Sequence, residues 1–270
     1  MSPDVRALIG CLVVGLFAPV IGTLLVQKRL SLMGDGIGHV AFAGIGAGLL
    51  FGVWPVGTAL LFAVAGAVGV EMLRARRRAS GDLALALFFY AGIALGAVFA
   101  SRNGNLDPET LPYLFGDPLK ITASGLTTII AVGTVVVAAV WTGRRLLFAI
   151  VSDEGWSRAQ GLPVNLANLV LAGMAAAVVV AGMRIVGLLL VAALLVMPVA
   201  SAQLLARSFR KTMLLAAAIG AVCAVAGLGL GLALGVSPGG AIVLLASAIF
   251  AATTMVTRRA PRTLRQEEHG

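Results

Sequence analysis

An aspartate and a histidine stand four residues apart in an otherwise apolar stretch, "SLMGDGIGHVAFAG" (31–44). If this stretch is helical, Asp35 and His39 lie one turn apart on the same face, because an α-helix has about 3.6 residues per turn. A carboxylate oxygen and an imidazole nitrogen are good ligands for zinc, and manganese or iron(II) also accepts them. Neither donor is a thiolate, so the pair could release its metal again, as a transit site must.

The spacing of this pair allows three roles, and the residues alone do not choose between them. The pair could pass a metal ion, fix the packing of a helix through a hydrogen bond, or relay protons. A metal site would be incomplete in one chain, because tetrahedral zinc has four ligands. A two-fold homodimer would supply two aspartates and two histidines. The small-xxx-small pairs Gly34/Gly38 and Gly44/Gly48 would let the partner helix approach closely.

The rest of the chain is as apolar as the stretch around the pair. It is 60% hydrophobic and only 11% charged, whereas a soluble domain carries about 25% charged residues. Apolar runs of about 20 residues, the length that crosses a bilayer, recur along the chain. We predict an all-α polytopic membrane protein with about nine transmembrane helices, or eight if the seventh span merges with a neighbour. The predicted spans are 7–26, 30–50, 57–73, 82–100, 121–142, 166–183, 185–205, 213–234 and 239–256.

The net charge of +9 is distributed in short clusters between the apolar runs, so we expect no nucleic-acid partner. With the N-terminus outside the cell, only four of the 20 Lys and Arg residues lie outside: Arg6, Arg102, Lys120 and Arg184. The other 16 lie on the cytoplasmic side, which is the asymmetry that membrane proteins show. We therefore expect a multi-pass protein with its N-terminus outside and its C-terminus in the cytoplasm.

The chain is predicted to form one transmembrane domain, residues 1–257, followed by a polar cytoplasmic tail, residues 258–270. The longest cytoplasmic segment, residues 143–165, is amphipathic and too polar to span a membrane. The longest segment on the other side, residues 101–120, is rich in Pro and Gly. We expect it to be irregular with one short helix.

Several kinds of site are excluded by absent residues. No GxxxxGK[ST] sequence occurs, so the chain carries no P-loop for ATP. It has two histidines, His39 and His269, and therefore cannot contain an HExxH zinc site. The two cysteines, Cys11 and Cys223, are isolated in apolar runs and indicate neither a disulfide framework nor a CxxC metal site.

Two short motifs have the pattern of an enzyme site but not its context. "GIGHVA" (36–41) fits a dinucleotide fingerprint, which requires a preceding strand and a βαβ unit. "GVSPG" (235–239) fits a nucleophile elbow but is expected to form a turn. A Ser237–His39–Asp35 triad would make the chain a rhomboid-like intramembrane serine hydrolase, and this stays the remote alternative.

Four separated blocks resemble the permease subunits of zinc and manganese ABC importers, the ABC-3 family of metal ion permeases. The first block resembles the signature of that family's second helix, and the others follow in the family's order over most of the chain. The blocks are "RLSLMGDGIGHVAFAG" (29–44), "PYLFGDPLKIT" (112–122), "SDEGWSRAQGLPVNLANL" (152–169) and "RIVGLLLVAALLVMPVASAQLLARS" (184–208).

The resemblance implies the permease fold of type II ABC importers and a place in the bacterial plasma membrane. It implies a homodimer that works with two cytoplasmic ATPase subunits and an extracytoplasmic metal-binding protein. The chain itself is then not an enzyme and holds no permanent cofactor. Asp35 and His39 would line the path of the transported metal. "HVAFAG" resembles the zinc branch of the family, so zinc is expected, with manganese or iron(II) as the alternative.

The resemblance also implies that a cytoplasmic loop couples the permease to its ATPase. Trp156 departs from the family pattern, in which an aliphatic residue or Phe is expected there. An amphipathic helix with Trp156 as an apolar anchor could fill a groove on a partner, or it could lie on the surface with no partner. The expected coupling residues are Asp153, Glu154, Gly155, Trp156, Ser157, Arg158, Ala159, Gln160 and Gly161.

Overall fold

The protein is described by a computed structural model that covers residues 1–75, 81–102 and 111–259, and most of these residues are helical. Within these described residues, nine helices are long and two, α5 and α7, are short. A single 3₁₀ turn, Pro118–Lys120, follows α5. The helices are α1 (Pro3–Gln27), α2 (Met33–Leu50), α3 (Pro55–Ala75), α4 (Gly81–Arg102), α5 (Leu111–Phe115), α6 (Ala123–Ser152), α7 (Glu154–Ala159), α8 (Val164–Met183), α9 (Leu188–Leu205), α10 (Phe209–Leu234) and α11 (Pro238–Arg259).

The nine long helices coincide with the nine predicted spans, which confirms the helical membrane architecture. Eight of them are long and apolar enough to cross a membrane, while α9 has a shorter apolar stretch, Leu190–Leu205. The seventh span does not merge with its neighbours, because a turn at residues 184–187 separates α8 from α9. The fifth predicted span ended at residue 142, but α6 continues without a break to Ser152. The first ten residues of the segment 143–165 are therefore helix.

Successive long helices run in opposite directions and define two ends of the bundle. The connections at 51–54 and 235–237 lie with α5 at one end, which we call the Trp54 end. The connection at 28–32 and α7 lie at the other, the Glu154 end. The described residues form an odd number of long helices that alternate in direction, so the first and the last point the same way. Helix α1 begins at the Trp54 end, and α11 finishes at the Glu154 end. Some residues of the predicted cytoplasmic segments lie outside the described residues: Arg76, Arg77, Arg78, Arg262, Arg265 and the tail from residue 260.

Local sequence sets the ends of these helices. The side chains of Thr122 and Ser208 cap α6 and α10 by accepting hydrogen bonds from backbone N–H groups three residues later. Pro55 and Pro238 occupy the first positions of α3 and α11, where a missing N–H costs nothing. Gly235 ends α10 with φ +65°, a left-handed conformation that glycine adopts without a steric penalty.

The centre of the bundle is formed by α1, α2 and α9, and the helices around them are partly exposed. Helix α1 packs against α10, α6 and α9, and α9 also packs against α2, α10 and α11. In the spans of α4 and α11 only 22% and 17% of the residues are buried. Their outer faces are apolar, so they must be covered by lipid or by another protein chain.

Two of the four sequence blocks meet at the Trp54 end. Gly116 and Gly187 have φ values of +75° and +88°, and their backbones lie against each other. A Cβ atom at Gly116 would lie 2.4 Å from the carbonyl carbon of Val186. A Cβ atom at Gly187 would lie 2.5 Å from the carbonyl oxygen of Leu114. Only glycine fits either position, and the contact seats the segment after α5 on the turn that precedes α9.

Candidate functional site

The pair Asp35 and His39 lies on the least buried side of α2. His39 Nε2 is 3.8 Å from Asp35 Oδ1, and the two side chains are 16% and 34% exposed, respectively. From Met33 to Gly48, only these two residues and Phe42 are not fully buried. The three are spaced i, i+4 and i+7, so they form one stripe along the helix. Both polar groups lie near the Glu154 end of α2, within about two helical turns of its start.

The distance within the pair suits a shared ligand better than a direct hydrogen bond. A hydrogen bond between these atoms would need about 3 Å. Two ligands bound at about 2 Å to one tetrahedral metal are roughly 3.3 Å apart, which a small rotamer change would give. Among the described residues no third Asp, Glu, Cys or His joins the pair. One chain thus presents two ligands and an open side.

The glycines around the pair pack against helices of the same chain. A Cβ atom at Gly34 would lie 2.5 Å from Leu195, and one at Gly38 would lie 2.1 Å from Leu188. Gly44 and Gly48 lie against α3, where a Cβ atom at Gly44 would be 2.7 Å from the Thr58 oxygen. The glycines therefore do serve helix packing near the site. The prediction that they leave room for a second chain is wrong, because α9 and α3 already fill that room.

Helix α4 covers the other flank of the pair. The ring of Phe89 meets the His39 imidazole edge to face, with 4.7 Å between ring centroids. Gly92 lies directly on the backbone of His39, since a Cβ atom there would be 2.7 Å from the His39 carbonyl carbon. The imidazole is thus positioned by an aromatic ring and a close helix contact. Helix α4 also reaches Phe42, since a Cβ atom at Gly96 would lie 3.1 Å from the Phe42 ring. The stripe of Asp35, His39 and Phe42 is therefore partly exposed, between α4 on one flank and α9 on the other.

The expected coupling residues form a compact unit at the Glu154 end. Asp153 caps α7, because its Oδ1 accepts a hydrogen bond of 2.8 Å from the backbone N–H of Trp156. The unit ends at Gly161, which has φ +74°. Trp156 is 56% exposed, and an indole this exposed is available to a partner. Helix α6 leads into this unit through the single residue Asp153, so the two helices are closely linked.

Glu154 is the centre of a polar cluster that joins α7 to three other parts of the chain. Its Oε2 lies 2.7 Å from an Arg74 nitrogen and 3.4 Å from Lys28 Nζ. Its Oε1 accepts hydrogen bonds of 2.9 Å from Arg158 and 3.1 Å from Asn168. Lys28 also donates to the side-chain oxygen of Asn168. One carboxylate therefore ties the start of α7 to the ends of α1 and α3 and to α8.

The electrostatics of this cluster favour a charged Glu154. Burial alone would raise its pKa, but the hydrogen bond from Arg158 and the charges of Lys28 and Arg74 outweigh burial and lower the pKa to about 2. For Lys28, burial is the largest effect and lowers its pKa, with Arg74 acting in the same direction and Glu154 against it. The Lys28 side chain is only 4% exposed. The cluster adjoins a cavity of about 520 Å³ that Arg29 and Asp82 also line.

The partners of Glu154 could not be identified from the sequence. In the sequence, Lys28 and Arg74 are basic residues of the predicted cytoplasmic segments, and Asn168 lies in the predicted apolar span 166–183. One signal was available, because an acidic residue among so many basic ones at the same end would be expected to pair. Nothing in the spacing indicated which distant bases it would pair with, since Arg74 and Lys28 precede Glu154 by 80 and 126 residues in the chain.

The structure does not assemble either enzyme motif. Residues 36–41 lie inside α2, so no strand precedes them and the dinucleotide fingerprint lacks its context. Ser237 lies in the turn before α11 at the Trp54 end. His39 is 11 residues from the end of α2 nearest that turn, about 16 Å along the helix. The triad Ser237–His39–Asp35 is therefore not brought together.

Comparison with known proteins places the whole bundle in one family. The profile of the ABC 3 transport family matches residues 4–257, which include all of the helices except the first residue of α1 and the last two residues of α11. The chain belongs to the ABC 3 transport family. It is a multi-pass membrane component of an ABC transporter, as the resemblance of the four blocks implied.

Curated relatives cover nearly the full length of the chain. It is 30% identical over 245 residues to the manganese transport system membrane protein MntC of Listeria monocytogenes, covering 91% of this chain and 87% of that one. It is 28% identical over 245 residues to the manganese import system permease protein ScaB of Streptococcus gordonii, covering 91% and 88%.

Solved structures support the same fold. The chain superimposes on PsaBC from Streptococcus pneumoniae, solved in complex with Fab, with a TM-score of 0.84 and 27% identity over 94% of this chain and 91% of that one. An ABC transporter in an inward-facing conformation gives a TM-score of 0.67 at 17% identity, over 93% and 85% of the two chains. These likenesses confirm the predicted fold class, the all-helical permease fold of type II ABC importers.

Proposed function

We propose that this chain is the permease subunit of an importer that moves a divalent transition metal into a bacterial cell. The observation that carries the proposal is the Asp35–His39 pair, which stands on the one partly exposed stripe that α2 has between Met33 and Gly48. An ionisable pair within a membrane span is costly and usually marks a transport path. Relatives of the same family are named as manganese permeases.

Substitution of the pair tests this role directly. We expect metal uptake by a strain that lacks its own importer to fall at least tenfold with Asp35→Ala or His39→Ala, because one of two ligands is lost. Two controls are available: His269→Ala, which removes the chain's only other histidine, and Asp82→Asn, which removes an exposed carboxylate of α4. Full uptake by both ligand variants at normal expression would exclude a transit site at this pair.

Zinc and manganese are the two candidate cargoes, and each has one observation in its favour. The "HVAFAG" sequence after Gly38 resembles the zinc branch of the family, whereas the relatives are named for manganese. The donor set does not decide, because a carboxylate and an imidazole serve both metals. Uptake of labelled zinc competed by manganese, and the reverse experiment, would separate them. Iron(II) would be tested as a third competing metal in the same uptake experiment.

The open side of the pair supports a homodimer in which a second copy completes the metal path. Two copies facing each other across a two-fold axis would supply two carboxylates and two imidazoles, enough for tetrahedral zinc. The glycine faces of α2 are already occupied, so the partner would approach along the stripe of Asp35, His39 and Phe42. Cross-linking of a Phe42→Cys variant in membranes tests this arrangement. Absence of a cross-linked dimer in active membranes would contradict it.

The ATP-driven step is supplied by two cytoplasmic ATPase subunits that dock on α7 in this proposal. The N-terminus then lies outside and the Glu154 end faces the cytoplasm. Trp156 would anchor the docking surface, so Trp156→Asp should reduce co-purification of the ATPase subunit. Val53→Asp is the matched control, because Val53 is 50% exposed at the opposite end. Equal recovery of the ATPase with both variants would argue against docking on α7.

An extracytoplasmic metal-binding protein would deliver the ion at the Trp54 end. A cavity of about 470 Å³ opens there, lined by residues of several segments, including Trp54, Tyr113 and Thr122. The Arg184 guanidinium lies 5.7 Å from the centre of the Tyr113 ring on this wall. Substitution of Trp54 by Glu should weaken stimulation of ATP hydrolysis by the loaded binding protein. Unchanged stimulation would place delivery elsewhere.

A further inference from the structure

Two basic side chains from different helices converge on one tryptophan near the Glu154 end. The guanidinium carbons of Arg144 on α6 and Arg210 on α10 lie 4.7 Å and 5.8 Å from the centre of the Trp141 ring. Phe148 and Phe209 join the same two helices, with 5.0 Å between their ring centroids. The three side chains Trp141, Arg144 and Arg210 are all exposed. We call these three residues the tryptophan–arginine site.

The positive charge at this site has no acidic partner in the part of the chain that the structure describes. Neither α6 nor α10 contains an Asp or Glu residue. Arg145, Arg207 and Lys211 add exposed positive charge beside the site, and none of the five basic residues forms an ion pair with another described residue. Both guanidinium groups lie against the same ring, so they repel each other, and a bound anion would lower that repulsion. Within residues 1–75, 81–102 and 111–259 the chain does not supply that anion.

The start of α10 makes the need for an anion stronger. A helix N-terminus carries a partial positive charge and favours acidic side chains in its first turn. Helix α10 has no acidic residue there and instead has Arg210 and Lys211, with Arg207 just before the capping Ser208. The site therefore combines two guanidinium groups with unfavourable charge at a helix terminus. An anion bound from outside the chain would reduce the repulsion between the guanidinium groups and would interact favourably with the positive end of α10.

The depth of the site indicates where that anion comes from. From Ala123 to Trp141, α6 is about 27 Å long, close to the thickness of a bilayer's hydrocarbon core. Trp141 is 46% exposed and stands where that length ends, as tryptophans at membrane interfaces do. One turn deeper, Val137 and Leu214 are 40% and 53% exposed and present apolar surface. Basic groups thus lie at headgroup level with apolar side chains below them.

We propose that the tryptophan–arginine site binds the phosphate of an anionic phospholipid in the leaflet at the Glu154 end. Arg144 and Arg210 would each donate hydrogen bonds to phosphate oxygens, which suits the planar guanidinium group. Trp141 would contact the glycerol backbone, and Val137 and Leu214 would contact the acyl chains. The proposal concerns a contact with lipid and does not depend on which metal the protein carries.

The test measures retained lipid on the purified full-length protein in detergent, by native mass spectrometry. Protein is mixed with equal amounts of phosphatidylglycerol and phosphatidylcholine. We expect a preference for phosphatidylglycerol that falls about fivefold for each arginine removed, and therefore most in Arg144→Gln/Arg210→Gln. Arg6→Gln/Arg102→Gln is the matched control, because it removes two arginines near the Trp54 end. Equal loss of preference in both double variants would overturn the proposal.

A second measurement leaves both arginines in place. With Trp54 and Trp156 changed to Phe, Trp141 is the only tryptophan, and its fluorescence reports lipid contact. Brominated phosphatidylglycerol should quench it more strongly than brominated phosphatidylcholine at the same mole fraction. Equal quenching would overturn the proposal. Release of bound phosphatidylglycerol by millimolar inorganic phosphate would also overturn it. A third contradicting result would be an Arg144→Gln/Arg210→Gln variant that retains as much lipid as the wild type but no longer binds the ATPase subunit.

Discussion

Removal of the charge on Glu154 should lower the free energy of unfolding, and the burial of its partner Lys28 sets the size of the loss. Glu154→Gln keeps the size of the side chain but leaves Lys28, which is 4% exposed, without the anion 3.4 Å away. Breaking a buried ion pair by removing one partner costs about 3–5 kcal/mol. Because Glu154 itself is 31% exposed and Asn168 still accepts from Lys28, we expect the lower end, about 3 kcal/mol.

The opposite substitution should cost much less. Lys28→Met removes the buried positive charge, while Glu154 keeps Arg74 at 2.7 Å and Arg158 at 2.9 Å. The loss should be about 1 kcal/mol, as for a partly exposed pair. In the double variant Lys28→Met/Glu154→Gln no lysine is left buried without its anion. It should therefore be more stable than the sum of the single effects predicts, by about 2 kcal/mol, which is within the range for residues in contact.

The free energy of unfolding, measured by steric trapping in lipid bicelles at pH 7, checks this cycle. Asp82→Asn is the control, because Asp82 is an exposed carboxylate at the start of α4 and should contribute at most about 1 kcal/mol. If Glu154→Gln costs no more than Asp82→Asn, the cluster does not hold α7 in place. If the double variant costs the full sum, Lys28 and Glu154 act independently and the reasoning from burial fails.

Three further predictions rest on single contacts. Gly44→Ala should destabilise the protein by about 1–3 kcal/mol, because the added Cβ atom would press on the backbone of α3. Gly173→Ala is the control and should stabilise the protein slightly, because nothing lies within 4 Å of the added Cβ atom. The free energy of unfolding is measured for each variant and compared with that of the wild type. Gly187→Ala should lower the yield of folded protein, seen by size-exclusion chromatography, because φ is +88° and the chain after Leu114 lies against it. The pKa of Glu154 is about 2 in the folded protein and 4.5 without these contacts, so the charged carboxylate stabilises the fold above pH 4.5 and this stabilisation is lost as the pH falls toward 2. The unfolding free energies of the wild type and Glu154→Gln should therefore converge over that interval. A constant difference would contradict the low pKa.

The spans and their order could be predicted because each is encoded locally. Runs of apolar residues of bilayer length and the turns between them place nine helices, and most predicted ends lie within four residues of those observed. The exception, the end of α6, shows the limit of this reasoning. The basic residues Arg144 and Arg145 looked like the end of a span, but a helix can continue past the membrane surface into water, and α6 does so to Ser152.

The surroundings of the candidate site could not be predicted, because they depend on contacts between distant segments. Spacing put Asp35 and His39 on one face, and the structure agrees. Spacing could not show that Gly34 and Gly38 face α9, since the same small-residue pattern serves contacts within a chain and between chains. In the same way, Glu154 and Asn168 are near in sequence, but the position of Lys28 between them follows only from how α1 and α8 pack.

The packing between the Glu154 cluster and the Asp35–His39 pair restricts how one could influence the other. Arg74, at the end of α3, binds Glu154, and α3 packs against α2 at Gly44 with no space for even a Cβ atom. Closely packed helices do not slide past each other without losing these contacts, so a pull on α7 that reaches α3 must tilt α3 and α2 together. The exposed stripe of α2 would turn with them, because its helix is rigid. If ATP-driven movement enters at α7, as proposed, the metal pair would thus be reoriented as part of a helix unit rather than by rotation of its own side chains.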